Sequence, residues 1–167
     1  MQTMEIVQIE TPEEIDAVRH LVREFFAFAL TEDPSAKNAP AFAGVDEQLA
    51  ALPGIFGPPD GAFLLASVDG KPAGCVALRA DAPRVCEVKR MYVRPDFRGL
   101  RVGEALMAAL IETSRALGYR KIVLDTFHTF RAAQYLYRKA GFVEVPPTFD
   151  LPEHLLGKVV FMEMDLP

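Results

Sequence analysis

The segment Arg94-Pro-Asp-Phe-Arg-Gly-Leu-Arg-Val-Gly103 has the residue types of an anion cradle. Directly after it, Val102, Ala105, Leu106, Ala109, Leu110 and Leu117 recur at helical spacing, so a helix starts at the loop. Its first unbonded N–H groups and positive dipole end then face whatever the loop wraps, which suits a phosphate or pyrophosphate. The preceding strand, Arg84 to Val93, ends at the Arg94-Pro95 step, and Gly99 allows a tight turn. Alternation along that strand puts Glu87, Lys89, Met91 and Val93 on one face. Neither a Gly-Lys-Ser/Thr triphosphate loop nor a Gly-x-Gly-x-x-Gly dinucleotide loop is present.

The elements that must position this loop are readable from turns and periodicity. Met4 to Ile9 reads as an edge strand, and Thr11-Pro12-Glu13-Glu14 starts a helix that runs to about Leu30. Residues 31–61, rich in proline and glycine and broken by a short helical stretch from Asp46 to Leu52, read as a long, variable surface connection. Phe63 to Val68 and Pro72 to Leu78 are strands joined by an Asp69-Gly70 hairpin turn, and Val85 to Val93 extends them into an antiparallel meander. If the next turn centres on Ala80 and Asp81, Cys75 and Cys86 stand opposite each other and a bridge is conceivable. Two small buried cysteines in a reduced compartment are the simpler reading. Beyond Gly118, Lys121 to Asp125 is a buried strand, and Phe130 to Ala140 is a second short helix closing at Gly141. Strands Phe142 to Val145 and Val159 to Met164, separated by a proline-rich loop, complete the sheet.

The chain has 167 residues, half of them apolar, which is enough for one core and implies a single domain over 1–167. No apolar run reaches the ~18 residues of a membrane span, and no basic-then-apolar leader opens the chain, so a soluble cytoplasmic protein is expected. A formal charge of -5 argues against nucleic acid as a partner. Two cysteines and three histidines without ligand spacing give no metal site.

The loop Arg98-Gly99-Leu100-Arg101-Val102-Gly103 resembles the acetyl-CoA signature of the GCN5-related N-acetyltransferase (GNAT) superfamily, Arg/Gln-x-x-Gly-x-Gly/Ala, with Arg101 in place of the middle glycine. The later Leu136-Tyr137-Arg138-Lys139-Ala140-Gly141-Phe142 falls in family order, and the resemblance covers most of residues 62 to 143. It implies an α/β (α+β sandwich) fold, with a mixed, mostly antiparallel sheet of about six or seven strands flanked by about four helices. It also implies transfer of an acetyl group from acetyl-CoA to a primary amine, by direct attack in a ternary complex. The acidic balance suits such a cationic acceptor.

Site residues follow from the same resemblance. Met91, Tyr92 and Val93 would offer backbone groups to the pantetheine arm, with the Val93 N–H as oxyanion donor. The amides of Gly99, Leu100, Arg101, Val102, Gly103 and Glu104 would cradle the pyrophosphate, with charge added by Arg98. In the histone-acetylating branch a glutamate four residues before the strand tripeptide is the general base, and Glu87 holds that position. The same carboxylate could instead pair with an arginine or face solvent. Tyr137 matches the tyrosine that protonates the leaving thiolate, although an aromatic at helical spacing also serves as plain core. Phe130 stands where an asparagine often contacts pantetheine. His20, His128 and His154 have no assigned role, and Phe25, Phe26 and Phe28 read first as a core stripe. The acceptor pocket, expected for a small-molecule amine, falls to the first two helices, the 31–61 connection and the 146–157 loop. Family habit implies a homodimer. The competing class is a non-catalytic acyl-CoA sensor.

Overall fold

The computed structural model describes residues 1–167. Seven strands, β1 (Met4–Gln8), β2 (Ala62–Val68), β3 (Lys71–Ala82), β4 (Val85–Val93), β5 (Lys121–Phe127), β6 (Val143–Val145) and β7 (Val159–Asp165), form one sheet in the order β1-β2-β3-β4-β5-β7-β6. All neighbours are antiparallel except β4 and β5. A parallel pair needs a crossover, and α3 (Val102–Ala116) supplies it. The remaining helices are α1 (Pro12–Glu32), α2 (Val45–Ala50) and α4 (Arg131–Ala140).

Each helix forms where its sequence marks it. Thr11 caps α1 by accepting from the Glu14 N–H at 3.1 Å, while the Glu14 side chain accepts from the Thr11 N–H at 3.0 Å. The buried stripe Val18, Leu21, Val22, Phe26 and Ala29 then packs α1 on one face of the sheet, against Phe63, Leu65, Cys75, Ala77 and Tyr92. On the opposite face Val102, Leu106, Met107 and Leu110 of α3 and Tyr137 of α4 cover Leu64, Val76, Leu78, Val88, Ile122 and Leu124. Alternation along β2 and β3 therefore feeds both layers, as expected for strands buried on two sides.

Three expectations are corrected. β3 runs on to Ala82, and the turn falls at Pro83 and Arg84, where Arg84 takes a left-handed φ of 62°. Cys75 therefore pairs with Tyr92 and Cys86 with Ala80, so the two thiols do not face each other. Both are free and buried, and burial pushes the Cys75 thiol up to about 12, which leaves it inert. The 31–61 connection is not plain surface either. It folds into short 3-10 turns around α2, and Ala36, Ala39, Leu49, Leu52 and Phe56 are buried.

Gly74 shows how closely β3 and β4 approach. A Cβ there would stand 2.6 Å from the Tyr92 carbonyl oxygen and 3.2 Å from Val93 Cγ2. Gly74→Ala is therefore expected to destabilise the protein by about 1–3 kcal/mol, read as a lower urea midpoint at unchanged m. An unmoved midpoint would contradict that packing.

Candidate active site

β4 and β5 begin as neighbours and then part. They pair only at Val85 with Lys121, Cys86 with Ile122 and Glu87 with Val123, yet β4 continues to Val93 and β5 to Phe127. The cause lies in β4. Cys75 faces Tyr92 and Ala77 faces Lys89, three residues of β4 against two of β3, and Arg90 in the extra position has φ 57°. Such a bulge bends and twists the strand that carries it. Past the bulge, the β4 edge facing β5 has no strand partner. The Arg94 N–H donates to the Ala73 carbonyl at 2.8 Å, so by alternation the Val93 N–H points the other way, into the opening.

The bulge also overturns the expected single face. Cys86 and Val88 pack under α3 and α4, and so do Met91 and Val93, whereas Glu87 and Lys89 line the cavity on the α1 side. Period-2 counting across Arg90 fails because the inserted residue reverses every side chain beyond it. Tyr92 accordingly turns into the α1 layer.

The loop between β4 and α3 is a nest of free donors. Gly99 (φ 85°) and Arg101 (φ 62°) are both left-handed, and α3 has no side-chain cap. Its first bond is Ala105 N–H to the Arg101 carbonyl at 3.1 Å. The N–H groups of Gly99, Leu100, Arg101, Val102, Gly103 and Glu104 have no acceptor within the chain. Successive N–H groups in such a turn form an anion-binding concavity, reinforced by the helix dipole. The left-handed backbone at Arg101 is the physical reason a glycine suits this position. Lys139 of α4 pairs with Glu104 and holds its carboxyl below the usual range, so the one acid in the first turn is neutralised. Arg98 folds back instead of facing the nest: its Nε donates to the Val93 carbonyl at 3.3 Å, and its guanidinium lies 5.7 Å from the Phe28 ring.

A cavity of about 440 Å³ opens from the strand gap toward α1, the 39–56 segment and the 149–155 loop. Glu87 and Tyr137 both line it. Glu87 is 7% exposed and has both oxygens engaged, one by Arg79 Nε at 2.9 Å and the other by Lys89 Nζ at 3.3 Å. The Arg79 pair is a direct cross-strand pair. Tyr137 is 5% exposed, and its hydroxyl makes no hydrogen bond to the protein. Burial, with a smaller contribution from the Asp125 charge, pushes the phenol above its ordinary value.

Asp125 is the residue that sequence reasoning missed. It lines the same cavity with no ion-pair or hydrogen-bond partner, and burial raises its carboxyl above the usual aspartate range against the opposing pull of Lys89. A charged residue inside the apolar run Ile122-Val-Leu-Asp125 was the available signal. Tyr135, by contrast, is 68% exposed and points away. His20, His128 and His154 are exposed and line no part of the cavity. Phe25 and Phe26 belong to its wall as well as to the α1 core, and Phe130, at the start of α4, packs on Phe25, Phe28 and Phe127.

A strand gap, a helix-mouth nest and an adjoining cavity thus lie side by side, and residues 15–142 match the model of the acetyltransferase (GNAT) family. The chain belongs to this family. It is 36% identical over 166 residues to an uncharacterised N-acetyltransferase of Schizosaccharomyces pombe, across 96% of this chain and 94% of that relative. The PaiA N-acetyltransferase of Thermoplasma acidophilum, solved in complex with coenzyme A, shares the fold at TM-score 0.75 and 18% identity, over 98% of this chain and 99% of that one. An acetyltransferase of Streptococcus agalactiae does so at TM-score 0.75 and 20% identity, over 98% of each chain. The protein is thus an acyltransferase enzyme with the α/β GNAT fold, a fold that binds acyl-CoA. GNAT membership sets the sensor reading aside. No helix is long and apolar enough to cross a membrane.

Proposed function

We propose that this GNAT enzyme transfers an acetyl group from acetyl-CoA to a primary amine of a small molecule, by direct attack in a ternary complex, with residues 1–167 acting as one domain. The observation that carries the reading is the run of six unbonded N–H groups from Gly99 to Glu104, at the mouth of α3 and beside the open β4 edge. These donors fit a diphosphate, and the β4 edge at Met91 and Val93, which has no strand partner on the β5 side, fits the amide-bearing arm that leads from it, whereas the backbone of Tyr92 faces β3. Bound there, acetyl-CoA supplies the activated acyl carbon.

The residues of the chain divide the rest. An aliphatic amine with a pKa near ~10.4 is almost entirely protonated at neutral pH, so a base must take its proton. Asp125 suits that role, because it is unpaired, faces the cavity, and has a raised pKa that makes it a better proton acceptor than an ordinary aspartate. Glu87 is the second reading, favoured by its place in the same wall, but each of its oxygens must leave a cation to accept a proton. The Val93 N–H faces the acyl oxygen as negative charge develops there. As the C–N bond forms and the C–S bond breaks, Tyr137 gives its proton to the departing sulfur. Asp125, close enough to act on Tyr137 electrostatically, then returns the amine's proton to the phenolate. An ammonium loses two protons on becoming an acetamide: Asp125 passes the first to solvent before attack and takes the second, the one it returns, as the C–N bond forms, so the products are acetamide, free thiol and one released proton.

Calorimetry with CoA and a thiol-release assay over an amine panel test this function together. Gly99→Val keeps the space, since nothing lies within 4 Å of a Cβ built there, but strains a backbone at φ 85° by about 1–2 kcal/mol. It is expected to weaken CoA binding by about tenfold. Failure of the parent to bind CoA would overturn the reading, and so would binding without thiol release from any amine.

A further inference from the structure

The charges of the cavity wall do not balance. Arg79, Lys89 and Arg90 face Glu87 and Asp125. Arg79 and Lys89 both close on Glu87, whereas Arg90 meets no carboxylate. It is 8% exposed. Its NH2 group donates to Gln48 Oε1 at 2.6 Å, NH1 donates to the Ala41 carbonyl at 3.4 Å, and its carbon lies 4.8 Å from the centre of the Phe26 ring. A guanidinium has five N–H donors, so three remain without an acceptor.

A buried cation held only by neutral groups is a costly arrangement, and a carboxylate is the partner whose two oxygens match the guanidinium fork. Desolvation lowers the Arg90 pKa, as expected for a charge removed from water without a counter-ion. The position is fixed by the backbone, because Arg90 is the extra residue of the β4 bulge and cannot turn to the α3 side without undoing it. Around it the wall is aromatic, with Phe25, Phe26, Phe42, Phe56, Phe127 and Phe130. The volume suits a small molecule and not a folded protein surface.

Resting on the acyl-transfer reading above, we propose that the acceptor is an amino acid with an apolar or aromatic side chain. Arg90 receives its carboxylate, the phenylalanine-rich wall takes its side chain, and its amine is left to the Asp125 end of the cavity. The bulge thus does two things at once: it opens the strand gap for the acyl donor and aims a specificity-determining arginine at the acceptor.

Matched pairs decide this. Thiol release is measured with phenylalanine against phenethylamine and leucine against isoamylamine, for the parent and for Arg90→Met. The parent is expected to favour the carboxylate member by about 10- to 100-fold in kcat/KM, and Arg90→Met to collapse that ratio toward one. A parent that favours the decarboxylated amines, or a ratio unchanged in Arg90→Met, overturns the proposal. A second measurement needs neither turnover nor a folded variant. With CoA present, 3-phenylpropanoate is expected to raise the parent's melting temperature and 3-phenylpropan-1-ol to leave it unmoved. Equal shifts overturn the proposal. Absence of thiol release from every amine strikes the transfer reading instead, and the phenylpropanoate shift still decides the role of Arg90.

Discussion

Asp125→Asn is expected to lower kcat by about 10²- to 10⁴-fold, the span of a lost general base, while making the unliganded protein more stable at pH 7. The two effects have one origin. Burial holds the Asp125 carboxyl above the ordinary range, so the ionised form is the disfavoured one in the folded state. Between the unfolded value of about 3.9 and the raised folded value, the native protein binds more protons than the unfolded chain, and stability falls as pH rises. Asparagine carries no such penalty. The melting temperature of Asp125→Asn should therefore exceed that of the parent at neutral pH, and the gap should close below pH ~4. Glu87→Gln should behave in the opposite way: it leaves Arg79 and Lys89 without their shared counter-charge, so stability drops, and its loss of kcat is the smaller of the two. A larger kcat loss in Glu87→Gln than in Asp125→Asn would transfer the base to Glu87.

Tyr137→Phe is expected to cost about 10²-fold or more in kcat, with little change in stability or in the KM for acetyl-CoA. The hydroxyl makes no hydrogen bond within the protein, so its removal breaks nothing in the fold, while the ring keeps its contact with Phe142 at 5.7 Å between centroids. Because the phenol is held above its ordinary value, the parent's kcat should show no falling limb below pH ~10. Tyr135→Phe, on the exposed side of α4, is the control and should match the parent. Equal rates for Tyr137→Phe and the parent would reduce Tyr137 to packing.

Much of the fold was legible because it rests on local signals. Thr11-Pro12-Glu13-Glu14 announces α1 through its own hydrogen bonds, and Asp69-Gly70 makes a hairpin whatever surrounds it, with φ of 51° and 79°. The Arg94-Pro95 step and Gly99 end β4 and turn the chain into α3 by the same logic. The nest was readable for that reason: unbonded donors at a helix start are a property of the helix, not of its neighbours.

The tertiary structure alone decided which acids and cations meet. The sequence left Glu87 as a free base, a partner of an arginine or a solvent-facing acid, and the cross-strand position of Arg79, fixed by the β3–β4 register, pairs it. Asp125 stood out in the sequence only as a charge beside an apolar run, because its place in the cavity depends on β4 and β5 parting after Glu87. That parting follows from one extra residue at Arg90, which no periodicity count reports and which reverses the face of Met91 and Val93. The amino-acid sequence by itself determined the helix starts, the turns and the loop of unbonded donors before α3, since these are written in backbone preferences a few residues long. The strand gap, the balance of charge within it and the placing of Asp125 and Arg90 on the cavity wall arise from register and packing between segments far apart in the chain, and only the assembled sheet fixes those.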